Sequence, residues 1–299
     1  MTLKASPILS WSRTLSDGDC PCGSGYPAKK CCWLTFNRWR KQPSQLTQRA
    51  ETGVSNGRCY LHPLGGCSTK ITREHFVSRN ILERLAEGKL LRLQNGGHLF
   101  GGKDNLEIGI DSFTAKVLCD NHNSLLSDLD TAAGRAFSDL EKAVPDLASD
   151  ANASRLILNS GIDLERWLTK VYCGLTAAGA IRGQSGEIKA TATISHLLRS
   201  VAGLELLPKP LGLYFHHEPG LKLTASSMKF GTLKLTDGSD DVGGLILSLG
   251  LMSLVLVAST KYCPGGFYDS NWHRHVITPI KINNRLKKVF WVCTFDDEL

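Results

Sequence analysis

Four cysteines within thirteen residues, Cys20-Pro-Cys22-Gly-Ser-Gly-Tyr-Pro-Ala-Lys-Lys-Cys31-Cys32, constrain this chain more than any other feature of it. Two thiol pairs separated by a short turn can close a tetrahedron of soft ligands around one zinc ion. Gly23 and Gly25 give that turn its conformational freedom. With all four positions filled by side chains, no position stays open for water, so the site is structural and not catalytic. The chain has ten cysteines, and Met1 to Trp11 is a mixed stretch with one lysine instead of an apolar signal core. The expectation is a cytoplasmic protein whose clustered cysteines bind metal and do not pair as disulfides.

The 299 residues, 42% hydrophobic and 21% charged, suffice for one large or two modest cores. The net charge of +7 is concentrated at the start. Residues 1–50 carry Lys4, Arg13, Lys29, Lys30, Arg38, Arg40, Lys41 and Arg49 against Asp17 and Asp19. That arm could meet phosphate or simply be solvated. Val242 to Thr260 is free of charge, but it barely reaches the roughly 20 residues of a bilayer span and is broken by glycines and serines. Two buried strands joined near Gly250 are expected there, and no membrane partner.

Composition divides the chain into 1–50, 55–145 and 150–299. A helix is expected over Asn121 to Val144, closed by Pro145, with Leu125, Leu129, Ala132, Ala133, Ala136, Phe137 and Leu140 near the helical period. A second is expected over Leu156 to Ala178, with Leu164, Trp167, Leu168, Val171 and Leu175 on one side. From Leu211 the pattern turns to strands: Leu211–Phe215, Leu221–Leu223, Thr232–Leu235 and Val289–Thr294. The fold class is therefore α+β, its C-terminal part helices followed by antiparallel strands.

The first cluster, with Pro21, Gly-Ser-Gly and the adjacent final pair, resembles the SEC-C motif, found at the tail of the bacterial preprotein translocase ATPase and attached to many other proteins. The resemblance implies a small zinc module that recognises a partner, here a protein or nucleic acid.

A second set of ligands follows. Cys59 and Cys67 precede Ile71-Thr-Arg-Glu74-His75-Phe-Val-Ser-Arg-Asn-Ile-Leu, and Leu118-Cys119-Asp-Asn-His122-Asn123-Ser-Leu-Leu-Ser-Asp-Leu-Asp130 comes later. A cysteine pair on one turn and a Cys-x-x-His at a helix start can close another zinc site. His62 competes with Cys67 for it, because Cys59-x-x-His62 is itself a knuckle spacing; Cys67 is preferred as the firmer ligand.

Over residues 58–140 this arrangement resembles the HNH, or ββα-metal, nucleases in their zinc-stapled, treble-clef-like form. The resemblance implies His75 as general base and Asn123 as ligand of a catalytic magnesium or manganese ion. Glu74 would approach that ion, and Asn105 would fill the middle position of the pattern. His122 stands where a cysteine is commoner in the family, and Asn123 where a histidine is frequent. Both are chemically competent, since imidazole binds zinc and an amide oxygen suits a hard ion. Hydrolysing a phosphodiester near neutral pH calls for a base that titrates there and a cation to stabilise developing charge.

Arg73 and Arg79 flank His75 and could hold phosphates. Cys173, Cys263 and Cys293 read as core residues, and Trp33, Phe36 and Trp39 as packing within the first module; His216-His217 and His273-Arg-His275 could form a further metal or phosphate site or be surface or strand-face pairs, and are left unassigned. The expected activity is a DNA endonuclease of the kind used in bacterial defence against invading DNA. The alternatives are an RNA nuclease and a non-catalytic zinc adaptor.

Overall fold

The structure is a computed structural model that describes residues 27–30, 33–35, 38–39, 52–94, 105–149, 154–181, 195–208, 210–216, 227–235, 242–250, 252–259, 272–273, 277–282 and 285–294. Its strands are β1 (Trp33–Thr35), β2 (Arg38–Trp39), β3 (Ile71–His75), β4 (Leu90–Gln94), β5 (Asn105–Gly109), β6 (Thr114–Cys119) and β7 (Ser154–Ser160). They continue as β8 (Gly212–His216), β9 (Ser227–Lys234), β10 (Val242–Leu249), β11 (Met252–Val257), β12 (Trp272–His273), β13 (Ile277–Ile282) and β14 (Arg285–Thr294). The helices are α1 (Arg79–Leu85), α2 (Asp120–Ser149), α3 (Gly161–Ala177) and α4 (Ser195–Val201). The class is mixed α+β, and the chain divides into two units of interleaved segments.

One unit comprises Met1–Gln45, Ala132–Leu164 and His275–Leu299. Here β14 pairs antiparallel with β13 and parallel with β7, Ser154 lying opposite Lys288 and Ser160 opposite Thr294. The expected helix from Leu156 therefore starts only at Gly161. Leu156-Ile157-Leu158 is an apolar run that a strand uses as well as a helix does. Ser160 then opens α3 as an N-cap, its Oγ accepting from the Asp163 N–H at 3.2 Å. In the other direction, α2 runs past Pro145 to Ser149. A proline this close to a helix end removes only one backbone hydrogen bond and does not compel a stop.

The other unit comprises Leu46–Thr131 and Glu165–Arg274. Its seven-stranded sheet has the order β12-β8-β11-β10-β9-β4-β5, antiparallel throughout except where β4 runs parallel to β9. The uncharged run forms the β10–β11 hairpin, Leu249 opposite Met252, and Gly250 turns the chain at φ +54°. Gly244 is needed for close approach, because a Cβ there would fall 1.9 Å from the Leu256 carbonyl oxygen. No helix among the described residues is long and apolar enough to cross a membrane.

Helix α3 is fixed to this sheet at two places. The Tyr172 hydroxyl donates to the Val242 carbonyl at 3.0 Å, and the Leu213 N–H donates to Glu165 Oε2 at 2.9 Å. Strands β3 and β6 form a separate antiparallel pair, and β6 passes directly into α2. An aromatic chain joins this pair to the large sheet. Phe76 meets Phe113 edge-on at 5.3 Å between centroids, and Phe113 lies 5.7 Å from Phe230.

Candidate functional site

The loop before β3 is shaped by its own polar groups. Thr52 Oγ1 donates to the Cys67 carbonyl at 2.6 Å, and Asn56 Nδ2 donates to the carbonyls of Ser68 and Thr69. This brings Cys59 and Cys67 together, while β6 ends at Cys119 and the first turn of α2 places His122 three residues on, on the same face. Cys59, Cys67, Cys119 and His122 form a buried group that could hold a metal ion such as zinc, with ligand atoms all within 4.8 Å of one another.

The distances suit that ion. His122 Nδ1 lies 3.3, 3.7 and 3.2 Å from the sulfurs of Cys59, Cys67 and Cys119. A tetrahedron with Zn–S of about 2.3 Å and Zn–N of about 2.0 Å has nitrogen–sulfur edges of about 3.5 Å. His62 is elsewhere, its Nδ1 within 2.9 Å of the Cys59 carbonyl. Burial pushes the Cys59 thiol up to about 12 and holds the His122 ring below its ordinary value. Cys119 is held down despite burial by the backbone N–H groups of His122 and Ser68. A metal ion would supply the compensation that a cluster of buried thiolates requires.

His75 closes β3, opposite Thr114. The ladder is irregular between Thr72 and Glu74: one residue, Arg73, stands against Lys116 and Val117 of β6. Such bulges re-aim side chains at a strand end. Arg73, Glu74, His75, Arg79, Asn80, Asn123, Asp130 and Thr131 line a cleft of about 280 Å3. His75 Nε2 is buried there without a hydrogen-bond partner among the described residues. Burial first, and then the Arg79 charge, lower its pKa, so the ring is neutral near pH 7. Asn123 Nδ2 donates to Thr72 Oγ1 at 3.0 Å, which orients the amide beside β3.

Beneath the cleft lies a buried charge cluster. The Lys170 side chain is 1% exposed and pairs with Glu74 and, at 2.6 Å, with Asp130 Oδ2. Burial opposes the Lys170 charge, but the two carboxylates more than offset it and hold the ammonium above its ordinary value. Burial raises Glu74 to about 7 although Lys170 works in the opposite sense. Ser78 Oγ donates to Asp130 Oδ1 at 2.6 Å and accepts from Trp167 Nε1 at 2.8 Å.

His75, Glu74 and Asn123 thus share one cleft, but Asn105 does not line it. Asn105 opens β5 opposite Gln94, in the large sheet. Leu106 and Ile108, which follow it, alternate as a strand does. Cys20, Cys22, Cys31 and Cys32 lie outside the described residues, as do the Leu221–Leu223 strand, Cys263 and the side chain of Cys293. Cys173 is a core residue. Sequence reasoning assigned no site role to Asp130, Lys170 or Ser78, and placed Trp167 only on the apolar side of a helix. The available signal was a lysine on an otherwise apolar helical face, between Trp167 and Val171. The chain matches no protein-family model, no curated protein and no solved structure.

Proposed function

We propose that this chain is a metal-dependent endonuclease of the HNH type that hydrolyses phosphodiester bonds of DNA. The observation that carries the reading is the unpartnered, buried Nε2 of His75 in a cleft shared with Asn123, the residue that follows His122 of the candidate zinc group. The order β3, β6, α2, with His75 ending the first strand and Asn123 in the first turns of the helix, supports it further.

In this reading Cys59, Cys67, Cys119 and His122 hold a structural zinc that fixes β3 against the start of α2. Cys20, Cys22, Cys31 and Cys32 hold another. Asn123 and Glu74 would hold a magnesium or manganese ion, which when bound supplies positive charge for the pentacovalent phosphorus and the leaving oxygen. The neutral imidazole of His75 would accept a proton from the attacking water, and no described side chain competes for its buried Nε2. Arg73, exposed at the mouth of the cleft, meets the phosphate backbone.

The test is cleavage of plasmid DNA by the purified chain with magnesium or manganese. Wild type should nick and linearise DNA, and His75→Ala should lose that activity while keeping its zinc. Activity unchanged in His75→Ala would overturn the reading, and cutting of RNA in EDTA would redirect it to RNA.

A further inference from the structure

The Lys170 cluster is an expensive thing for a fold to contain. A buried ammonium and two carboxylates lose hydration that their mutual attraction repays only in part, and well-packed apolar residues of similar volume are commonly as stable. The position favours such a replacement: Trp167, Leu168, Val171 and Tyr172 around it on α3 are all fully buried. The charges are nevertheless there, and both carboxylates paired to Lys170 line the cleft that contains His75.

Geometry shows what the cluster holds still. Both oxygens of Asp130 are engaged, Oδ1 by Ser78 and Oδ2 by Lys170, so the carboxylate cannot swing into the cleft. Ser78 is fixed in turn by the Trp167 indole. Glu74 Oε1 is paired to Lys170. The rotamer of the residue next to His75 is thereby set by a side chain from α3, beyond the 55–145 stretch in which the sequence located the nuclease. Glu74 and Asp130 thus meet the one ammonium from two different elements, and both line the cleft into which a divalent cation would come.

We propose that Lys170 is a positioning residue of the His75 cleft, clamping Glu74 and Asp130 so that the cleft binds a divalent cation in the arrangement hydrolysis needs. The inference rests on the nuclease reading for its substrate, but its cation arm can be tested without cleavage.

The experiment uses full-length wild type, Lys170→Met and Asp130→Asn. Zinc content reports the fold, Mn2+ binding is followed by electron paramagnetic resonance, and plasmid cleavage gives kcat and KM. The expected result is full zinc, KM within about twofold of wild type, and kcat and Mn2+ affinity each reduced more than threefold in both variants. A cluster that only stabilises the fold would lower Tm and leave kcat and Mn2+ affinity unchanged well below it, and that outcome overturns the inference. If Lys170→Met fails to retain zinc, the isosteric, half-exposed Asp130→Asn decides by the same threefold criterion. Wild type that binds Mn2+ but cuts nothing sinks the nuclease reading, and the Mn2+ comparison still decides the role of Lys170. Wild type that binds no Mn2+ overturns the inference itself.

Discussion

Trp167 donates its indole N–H to the hydroxyl of Ser78 at 2.8 Å, across 89 residues of sequence. Ser78 occupies the N-cap position of α1 yet makes no capping hydrogen bond, because its hydroxyl is given to Asp130 instead. Ser78→Ala therefore orphans a buried indole N–H and one oxygen of Asp130 at once. A buried polar group left unsatisfied costs about 1–3 kcal/mol. Thermal unfolding followed by circular dichroism should show Tm lowered by about 2–5 °C, at about 1.5–2 °C per kcal/mol for a chain of this size. Ser78→Thr, which keeps the hydroxyl, should recover most of it. A Tm for Ser78→Ala within one degree of wild type would show that the hydroxyl is not a structural link.

The candidate zinc group makes a sharper discrimination. Cys67→Ser and Cys119→Ser should each lose about one zinc per chain by elemental analysis, because three ligands bind far less firmly than four. His62→Ala should lose none, since its Nδ1 is turned to the Cys59 carbonyl. The reverse outcome would put His62 in the ligand set.

What the sequence made legible follows from local patterning. The β10–β11 hairpin was readable because a charge-free run interrupted at Gly250 admits few alternatives, and the Cys59 group because metal ligands carry spacing rules. The start of α3 was not, because Leu156-Ile157-Leu158 fits helix or strand until β14 arrives from more than 120 residues away. The cleft was half legible. His75 and Asn123 sit beside recognisable ligands, but Lys170 meets Glu74 and Asp130 only through the packing of α3, which no spacing rule encodes. Strand β4 joins the large sheet only through β9, which is equally remote, and β5 only through β4, so neither had a partner that local patterning would reveal as part of a sheet.

The depressed pKa of His75 has a consequence in pH. Burial and Arg79 disfavour the imidazolium, so the folded value lies below the unfolded value of about 6.5. The stability linked to this group is present above pH 6.5 and is lost as pH falls through the folded value. The His75 ring, followed by its proton resonances in an NMR titration, should accordingly have its midpoint below 6.5, and Arg79→Ala should move that midpoint upward, since it removes a repelling charge. Glu74, raised to about 7 by burial, titrates separately and sets the acid limb of kcat/KM near that value. A His75 midpoint at or above 6.5 in wild type would argue against a base held neutral by burial.

Two arginines flank His75, and their surroundings distinguish them. Arg79 is already engaged, at 2.8 Å by Glu83 and at 3.6 Å by Asp111. Arg73 is exposed on the same cleft, with Asn123 donating to its carbonyl and not competing for its guanidinium. A phosphate arriving at Arg79 must displace existing carboxylates, whereas one arriving at Arg73 displaces no carboxylate among the described residues. Arg73→Ala should therefore weaken DNA binding across unrelated sequences and reduce the slope of log affinity against log salt by about 1. Arg79→Ala should change the slope less, because the carboxylates it releases add local negative charge without removing a made phosphate contact. Fluorescence anisotropy of labelled duplexes over a salt series, with the catalytically silent His75→Ala background to prevent cutting, measures both slopes. Equal slopes for Arg73→Ala and its parent would remove Arg73 from the phosphate-binding surface.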